Sequence, residues 1–435
     1  MSGLALNRLA CAKVVSSGSS VPSFADGTVV DATNSLTGWT ASSGTMSLVT
    51  DVATGASCIR HVRTGGNPQI TKVLSPAQNW SNVNGLSFWV KWTKPVDGGQ
   101  DAFLICYVSS GTDINNSWGA TPQRLSPGWN YVYIPMGQLP QDGTATYTVG
   151  TGLANKSSIQ CLGIRYLDAG LPNGSMIEVS DIRVHRATKN IIALTSDDGL
   201  LSLKTALDSW STPLGLPWTH YVVKNWVEGG NGGLCWNLAT CQQLAAIGHQ
   251  ISNHSTSHPN MSLGPNNTYA VARSEYETCQ SWLRENGFDP YHVAYPFGIG
   301  GGTASQGADA SNEGNIRQVM SELGIKTART TDARGDQHQP PVINEANRYQ
   351  IQTFYPSAST TTSQVTAAYA AAERRGGLLV VTLHGWGASP TGLNVSTPVF
   401  KQICYEAFER WKSGVSEVVT MAEAFRLCRA GTLAA

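Results

Sequence analysis

The chain has 435 residues, 41% of them hydrophobic and only 13% charged, with 29 Lys plus Arg balanced by 29 Asp plus Glu. That length suits two domains rather than one, and the apolar share supplies real cores and excludes a disordered chain. Through residue 188 there are 12 basic and 10 acidic residues, and 17 and 19 follow. Neither part is the basic body that a phosphate backbone requires, so no nucleic acid is expected as a partner and a neutral polymer fits better.

Residues 1–25 are small and polar and read as an arm or linker. Arg8 and Lys13 interrupt them, no continuous apolar stretch follows, and no signal peptide is expected. The best apolar run, Leu378 to Leu383, is strand length, far short of the ~18 residues of a membrane span, so no membrane insertion is expected. Nine cysteines are too sparse for a disulfide framework and odd in number, and they read as reduced core thiols. Cys235 and Cys241 lack the second pair that a structural zinc cage needs.

Residues 26–188 carry short alternating or aromatic-rich runs: Leu86 to Trp92, Ala102 to Val108, Trp129 to Met136, Ile159 to Leu167 and Met176 to Val184. Each reads as a strand, with turn signals at 95–99 and 171–174 between them. Half-buried strands need a second sheet to cover their apolar faces, which predicts an all-β sandwich. Trp39, Trp80, Trp89, Trp92, Trp118 and Trp129 are numerous enough for a sugar-stacking platform. Trp89 and Trp92, however, fall on opposite faces of one strand.

From residue 189 the pattern changes to strands alternating with amphipathic helices. Ile191 to Thr195 is a short apolar strand, followed by Leu203, Leu207 and Trp210 at helical spacing. Asn237 caps a helix with Leu238, Cys241 and Ala245 that Gly248 closes. Ala272, Tyr276, Cys279 and Leu283 precede Gly287; Ile316, Val319 and Leu323 precede Gly324; Val365, Ala368 and Ala372 precede Gly376. Thr397 and Pro398 start a last long helix. Repeated strand–helix units predict a parallel barrel or open α/β sheet, either of which places chemistry at the carboxyl ends of strands.

Four such ends carry polar groups. Asp197 and Asp198 leave the first apolar strand; facing one cleft, one can be held by a cation while the other takes a proton, although Asp also starts helices. His254 and His258 follow the strand at Gln250 to Ser252, and one helical turn would put both imidazoles on one side. Two histidines and one carboxylate are a three-ligand set for catalytic zinc with a position left open. His384 ends the Leu378–Leu383 run, and the Ala294-Tyr295-Pro296-Phe297-Gly298 corner offers backbone amides to an oxyanion. The combined inventory suits hydrolysis of an amide or ester by cation-activated water.

These motifs resemble, in order, those of the NodB-type polysaccharide deacetylases, carbohydrate esterase family 4. Thr195-Ser196-Asp197-Asp198-Gly199 is similar to T-F-D-D-G, His254-Ser255-Thr256-Ser257-His258 to H-[ST]-x-x-H, and Val381-Thr382-Leu383-His384 to the L-x-L-H ending. The resemblance covers about residues 189–430 and implies that the domain 189–435 is a distorted (β/α)7 barrel that removes N- or O-acetyl groups from carbohydrate. By the same resemblance Asp198, His254 and His258 hold one divalent cation, with zinc expected. Asp197 is the general base, His384 the general acid and the Phe297 amide an oxyanion donor, while Val381 and Trp386 border the acetyl pocket. Ser196 stands where the family has Phe, Ala294 where it has the Arg that orients the base, and the fourth family motif is not recognisable. Arg329, in the segment that replaces that motif, is the expected substitute partner for Asp197.

The sandwich lies outside the resemblance and is expected to bind carbohydrate or attach the chain to a larger assembly. The expected partner is an acetylated polysaccharide. Without a signal peptide, access to external glycan would come on a virion or after lysis; otherwise the protein is cytoplasmic. Two rival readings remain: a glycoside hydrolase with paired carboxylates, and a catalytically impaired glycan-binding or virion-attachment protein.

Overall fold

The computed structural model describes residues 27–428 apart from 67, 84, 94–102, 116, 120–122, 126–127, 137–146, 150–154, 168–171, 187–189, 262–265, 267, 299–309, 332–342, 344–347 and 376. The arm expected at 1–25 and the turn at 95–99 lie outside the described residues.

All five strands expected in the first part are present, and alternation explains why they stack into two layers. In Gly85–Thr93 the side chains of Leu86, Phe88, Val90 and Trp92 enter a core with Ile59, Ile164, Tyr166 and Ile177. Lys91 and Trp89 face the other way, Trp89 edge-on to Tyr131 at 5.1 Å. One antiparallel sheet runs Gly128–Pro135, Gly85–Thr93, Met176–His185, Ser57–Val62, Thr45–Thr50. The other is built around Phe103–Ser109, Ile159–Leu167 and Gln69–Gln78. Trp39, Trp80 and Trp92 are core residues and Trp89 is covered too, which removes four members from the expected sugar-stacking platform. The Trp118 side chain lies outside the described residues. Trp129 stays half-buried, with the Lys91 ammonium 5.9 Å from its ring centre.

The second part is a curled parallel sheet, a distorted (β/α) barrel. Its strands follow the order Thr327–Arg329, His292–Ala294, Gln250–Asn253, Trp218–Val222, Asn190–Ser196, Leu378–Leu383. Ser416–Val418 pairs with the start of Asn190–Ser196. Between the two outer strands runs the segment 351–354, bridging Arg329 through Ile351 and Val381 through Phe354, so the ring closes. Every residue of Asn190–Ser196 is buried, as expected for a strand covered on both faces. Ile191, Ala193, Leu378 and Val380 fill the interior with Tyr221, Ala294 and Ile351. Ile192, Leu194, Leu379, Val381 and Leu383 pack outward against the helices. Tyr131 of the sandwich packs on the interior cluster beside Val419 and Phe425, so the two parts touch.

The helices begin where the caps predict. The Asn237 side chain accepts from the Thr240 N–H at 3.0 Å ahead of Leu238–Ala246, and Thr268 caps Tyr269–Glu285. The last long helix is capped by Ser396, one residue before the expected Thr397, with Pro398 in its first turn. Among the described residues no helix is long and apolar enough to cross a membrane.

Candidate metal centre

At the carboxyl end of Asn190–Ser196 the Asp197 N–H donates to the Leu383 carbonyl at 2.9 Å, which fixes the carboxylate at the mouth of the barrel. Asp198 then turns back with φ of 68°, and the Gly199 N–H donates to the Asp197 carbonyl at 2.8 Å. This reversal sends adjacent side chains to different neighbours, Asp197 inward to Arg329 and Asp198 toward the histidines. Non-glycine residues in the left-handed region cost of order 1–3 kcal/mol each. Four of the seven described, Asp198, Ser255, His258 and Phe297, surround this site.

His254 and His258 do not share a helical turn, as the spacing suggested. Ser255 at φ 71° and His258 at φ 60° fold the segment into a left-handed loop that brings both rings to one point. Glu275, on the helix Tyr269–Glu285, clamps that loop by accepting from the N–H groups of Thr256 and Ser257 at 3.0 and 2.8 Å. The Asn253 side chain accepts from the Ser255 N–H, and the Ser255 hydroxyl accepts from the His258 N–H. The rings of Trp226 and Phe297 lie 5.0 and 4.7 Å from that of His258.

His254 Nε2 and His258 Nε2 lie 3.5 and 3.6 Å from Asp198 Oδ1, and the three candidate ligand atoms fall within 4.8 Å of one another. His254 Nδ1 is 2.8 Å from the Ala294 carbonyl and donates to it, which turns Nε2 toward the Asp198 carboxylate. Burial lowers His254, but Asp197 and Asp198 outweigh it and raise its proton affinity. His254 Nε2 and Asp198 Oδ1 are buried and have no hydrogen-bond partner. Buried polar atoms left unpaired are costly, and two imidazole nitrogens with one carboxylate oxygen suit a divalent cation, which would displace any proton held on Nε2. Burial would raise the Asp198 carboxyl, but His254 and the other histidines outweigh it and hold it at about 2. Burial pulls His258 down to about 4, so its ring is neutral, as a ligand must be.

Asp197 and Arg329 are both buried and form an ion pair through Oδ1 and Nη2. The strand register explains it: Arg329 is the direct neighbour of Ala294 across His292–Ala294 and Thr327–Arg329. The guanidinium therefore comes from the next strand at the same level as Ala294. It is held by the Thr330 carbonyl at 3.0 Å and lies 5.1 Å from the Tyr221 ring centre. Burial pushes Asp197 upward, yet Arg329, His254 and His384 together hold it below the ordinary carboxylate range. Its Oδ2 remains buried without a hydrogen-bond partner, 3.8 Å from His384 Nε2. Burial lowers His384, with Asp197 and Asp198 opposing.

Asp197, Asp198, His254, His258, Arg329 and His384 thus converge, with Phe297 at their edge, half-exposed in the Pro296–Gly298 turn. Val381 does not border the cleft; it is fully buried against the helical layer, because alternation along Leu378–Leu383 points it outward. Trp386 leans on Trp210 and donates from Nε1 to the Thr397 hydroxyl, a packing position beside the start of the helix Thr397–Lys412. Sequence reasoning missed Glu275, Trp226 and Tyr355. Tyr355 follows the bridging segment in a Phe-Tyr-Pro run, and its likeness to Ala294-Tyr295-Pro296 at another strand end is the one signal that pointed to it.

Residues 185–328 match the model of the polysaccharide deacetylase family. No curated protein matches the chain. Among solved structures, the chain is similar to the Xyl-CE4 domain of a multidomain xylanase from the hindgut metagenome of Trinervitermes trinervoides. That match has 20% identity and a TM-score of 0.36, covering 55% of this chain and 90% of the other. A family 4 carbohydrate esterase from Streptomyces lividans is 18% identical with a TM-score of 0.35, over 57% of this chain and 99% of the other. A family 11 carbohydrate-binding module from Clostridium thermocellum is 17% identical with a TM-score of 0.28, over 37% and 95%.

Proposed function

We propose that this chain is a zinc-dependent polysaccharide deacetylase, hydrolysing N- or O-acetyl groups on a glycan and releasing acetate. The observation that carries the reading is the pairing of a complete cation-ligand cluster, Asp198, His254 and His258, with a second carboxylate whose free oxygen faces a histidine. The family match over residues 185–328 supports the reaction class. A divalent cation held there supplies Lewis acidity and water that is acidic at neutral pH.

The residues of the chain do the rest. Arg329 occupies Oδ1 of Asp197, so Oδ2 is the oxygen left to take the proton of the attacking water. Its lowered proton affinity keeps the carboxylate ionised but makes it a weak base, so the acidity of the water must come from the cation site. His384 passes a proton from Nε2 to the departing sugar oxygen or nitrogen. The Phe297 amide donates to the carbonyl oxygen as it gains charge. A glycoside hydrolase is disfavoured because Asp198 faces two imidazoles rather than standing alone across a groove.

The division at residue 188 belongs to the same proposal: the barrel does the chemistry and the sandwich holds polymer or a larger assembly. The test of the reaction is Asp197→Asn with metal content and acetate release measured on one zinc-loaded preparation. Zinc should stay bound while acetate release from an acetylated oligosaccharide falls roughly 10²–10⁴-fold. Near-normal release would remove Asp197 from the base role.

A further inference from the structure

Tyr355 rests its hydroxyl against the His384 ring, 2.9 and 3.1 Å from the two nitrogens, and so favours neither. Glu275 is placed more decisively. From the helix Tyr269–Glu285 its Oε2 accepts from the N–H groups of Thr256 at 3.0 Å and Ser257 at 2.8 Å, and its Oε1 from the Ser257 hydroxyl at 2.7 Å. The Thr256 hydroxyl donates to the Glu275 carbonyl at 2.8 Å. One residue on, the Tyr276 carbonyl accepts from the Asn253 side chain, whose oxygen in turn accepts from the Ser255 N–H. One stretch of helix thus grips the residue just before His254 and the two that lead into His258.

We propose that Glu275 is the positioning residue for the segment from His254 to His258: its carboxylate holds the two imidazoles in the arrangement that takes a cation before any cation arrives, and so sets the affinity of the site. This rests on the cation-site reading of Asp198, His254 and His258 and deepens it. The segment needs such a hold because Ser255 and His258 sit in the left-handed region, at φ 71° and 60°, where a side-chain-bearing residue stays only if its surroundings over-determine it. Ser257 is exposed, so water would take over its N–H if the carboxylate were gone, and the segment would be free to relax. A site that adopts the binding arrangement roughly one-tenth of the time binds about 10-fold more weakly, since apparent affinity falls with the populated fraction. Glu275 is only half-buried and lies within a helix, so Ala in its place opens no core cavity and suits the backbone.

The experiment compares Glu275→Ala and Glu275→Gln with the parent as full-length chains, stripped of metal and titrated with zinc against a competing chelator. Glu275→Ala should raise the zinc Kd roughly 10-fold or more, while Glu275→Gln, whose amide oxygen can still accept from both N–H groups, should stay within about 3-fold of the parent. A rise of less than about 3-fold for Glu275→Ala overturns the proposal, as does an equal loss in both variants. A second readout needs no zinc. In the metal-free chain, amide exchange at Thr256 and Ser257 should be faster in Glu275→Ala than in the parent, with the barrel strands unchanged. Exchange unaltered at those two amides, or sped up throughout the barrel as a merely structural role would give, overturns the proposal. A parent that binds no zinc would refute the cation-site reading and this role with it. A parent that binds zinc no better than Glu275→Ala would refute the role of Glu275 alone.

Discussion

Replacing Arg329 by Met keeps the length of the side chain and removes its charge, leaving Asp197 ionised and alone in a site where both partners are 1% exposed. Breaking one side of such a buried pair costs about 3–5 kcal/mol, most of it the penalty for an uncompensated charge. Loss of the cation–π contact with Tyr221 adds to the same side. Urea unfolding of the zinc-free protein should register the loss as a lower midpoint at constant slope. The double variant Asp197→Asn with Arg329→Met leaves no charge behind and should recover a large part of it, a coupling of more than about 1 kcal/mol in a double-mutant cycle. A single variant within about 1 kcal/mol of the parent would refute the reasoning. So would a double variant whose loss is the sum of the two singles.

The buried chain of Ser196, His220 and His249 predicts acid sensitivity: His220 Nδ1 is 2.6 Å from the Ser196 hydroxyl, and its Nε2 is 2.8 Å from His249 Nδ1. Burial, with Lys204 adding to it, holds His249 at about 4, below the ~6.5 of an unfolded imidazole. Between those values the unfolded chain binds the extra proton, so this contribution is complete above pH ~6.5 and about 3 kcal/mol is lost as pH falls to ~4. His249→Gln should flatten that part of the stability–pH curve, and an unchanged slope in urea titrations counts against the assignment. Expressed alone, residues 189–435 should keep hydrolysis of a small acetylated sugar and lose stability where Tyr131 no longer covers the cluster beside Phe425. Loss of small-substrate activity in a folded truncation would place part of the site in the sandwich.

What could be read from the sequence was what is local. Apolar periodicity located five strands of the first part and the longer helices of the second, because parity and helical spacing are properties of neighbouring residues, but it missed Ser57–Val62, Gln69–Gln78 and Trp218–Val222. Asp197, Asp198, His254, His258 and His384 stood out because each lies at or just beyond the end of a segment that reads as a strand. The vacancy at Ala294 suggested a substitute arginine, and the strand register shows why Arg329 can serve: it sits one strand over at the same height. The conformation of the histidine loop was not legible, since its left-handed residues depend on Glu275 from a separate helix. The burial of Trp39 and Trp80 was equally hidden, because neither falls in a strand whose alternation was read. Tyr355 escaped notice because its segment pairs too briefly to leave a strand pattern.

The way the ring closes ties its mechanical integrity to its chemistry. Two backbone hydrogen bonds join Ile351 to the Ala328–Thr330 side, and two join Phe354 to the Val380–Thr382 side, whereas Asn190–Ser196 and Leu378–Leu383 stay in register from Ile191 to Ser196. A barrel parts where its pairing is thin, and the seam at 351–354 separates Arg329 on one bank from Asp197 and His384 on the other. The Arg329–Asp197 ion pair therefore acts as a tie bar across the lumen, resisting the spreading that would carry Asp197 away from its partner. Cutting the bar should speed amide exchange at Ile351 and Phe354 before any distant part of the sheet loosens, so a slack seam and a displaced Asp197 are two readouts of one event.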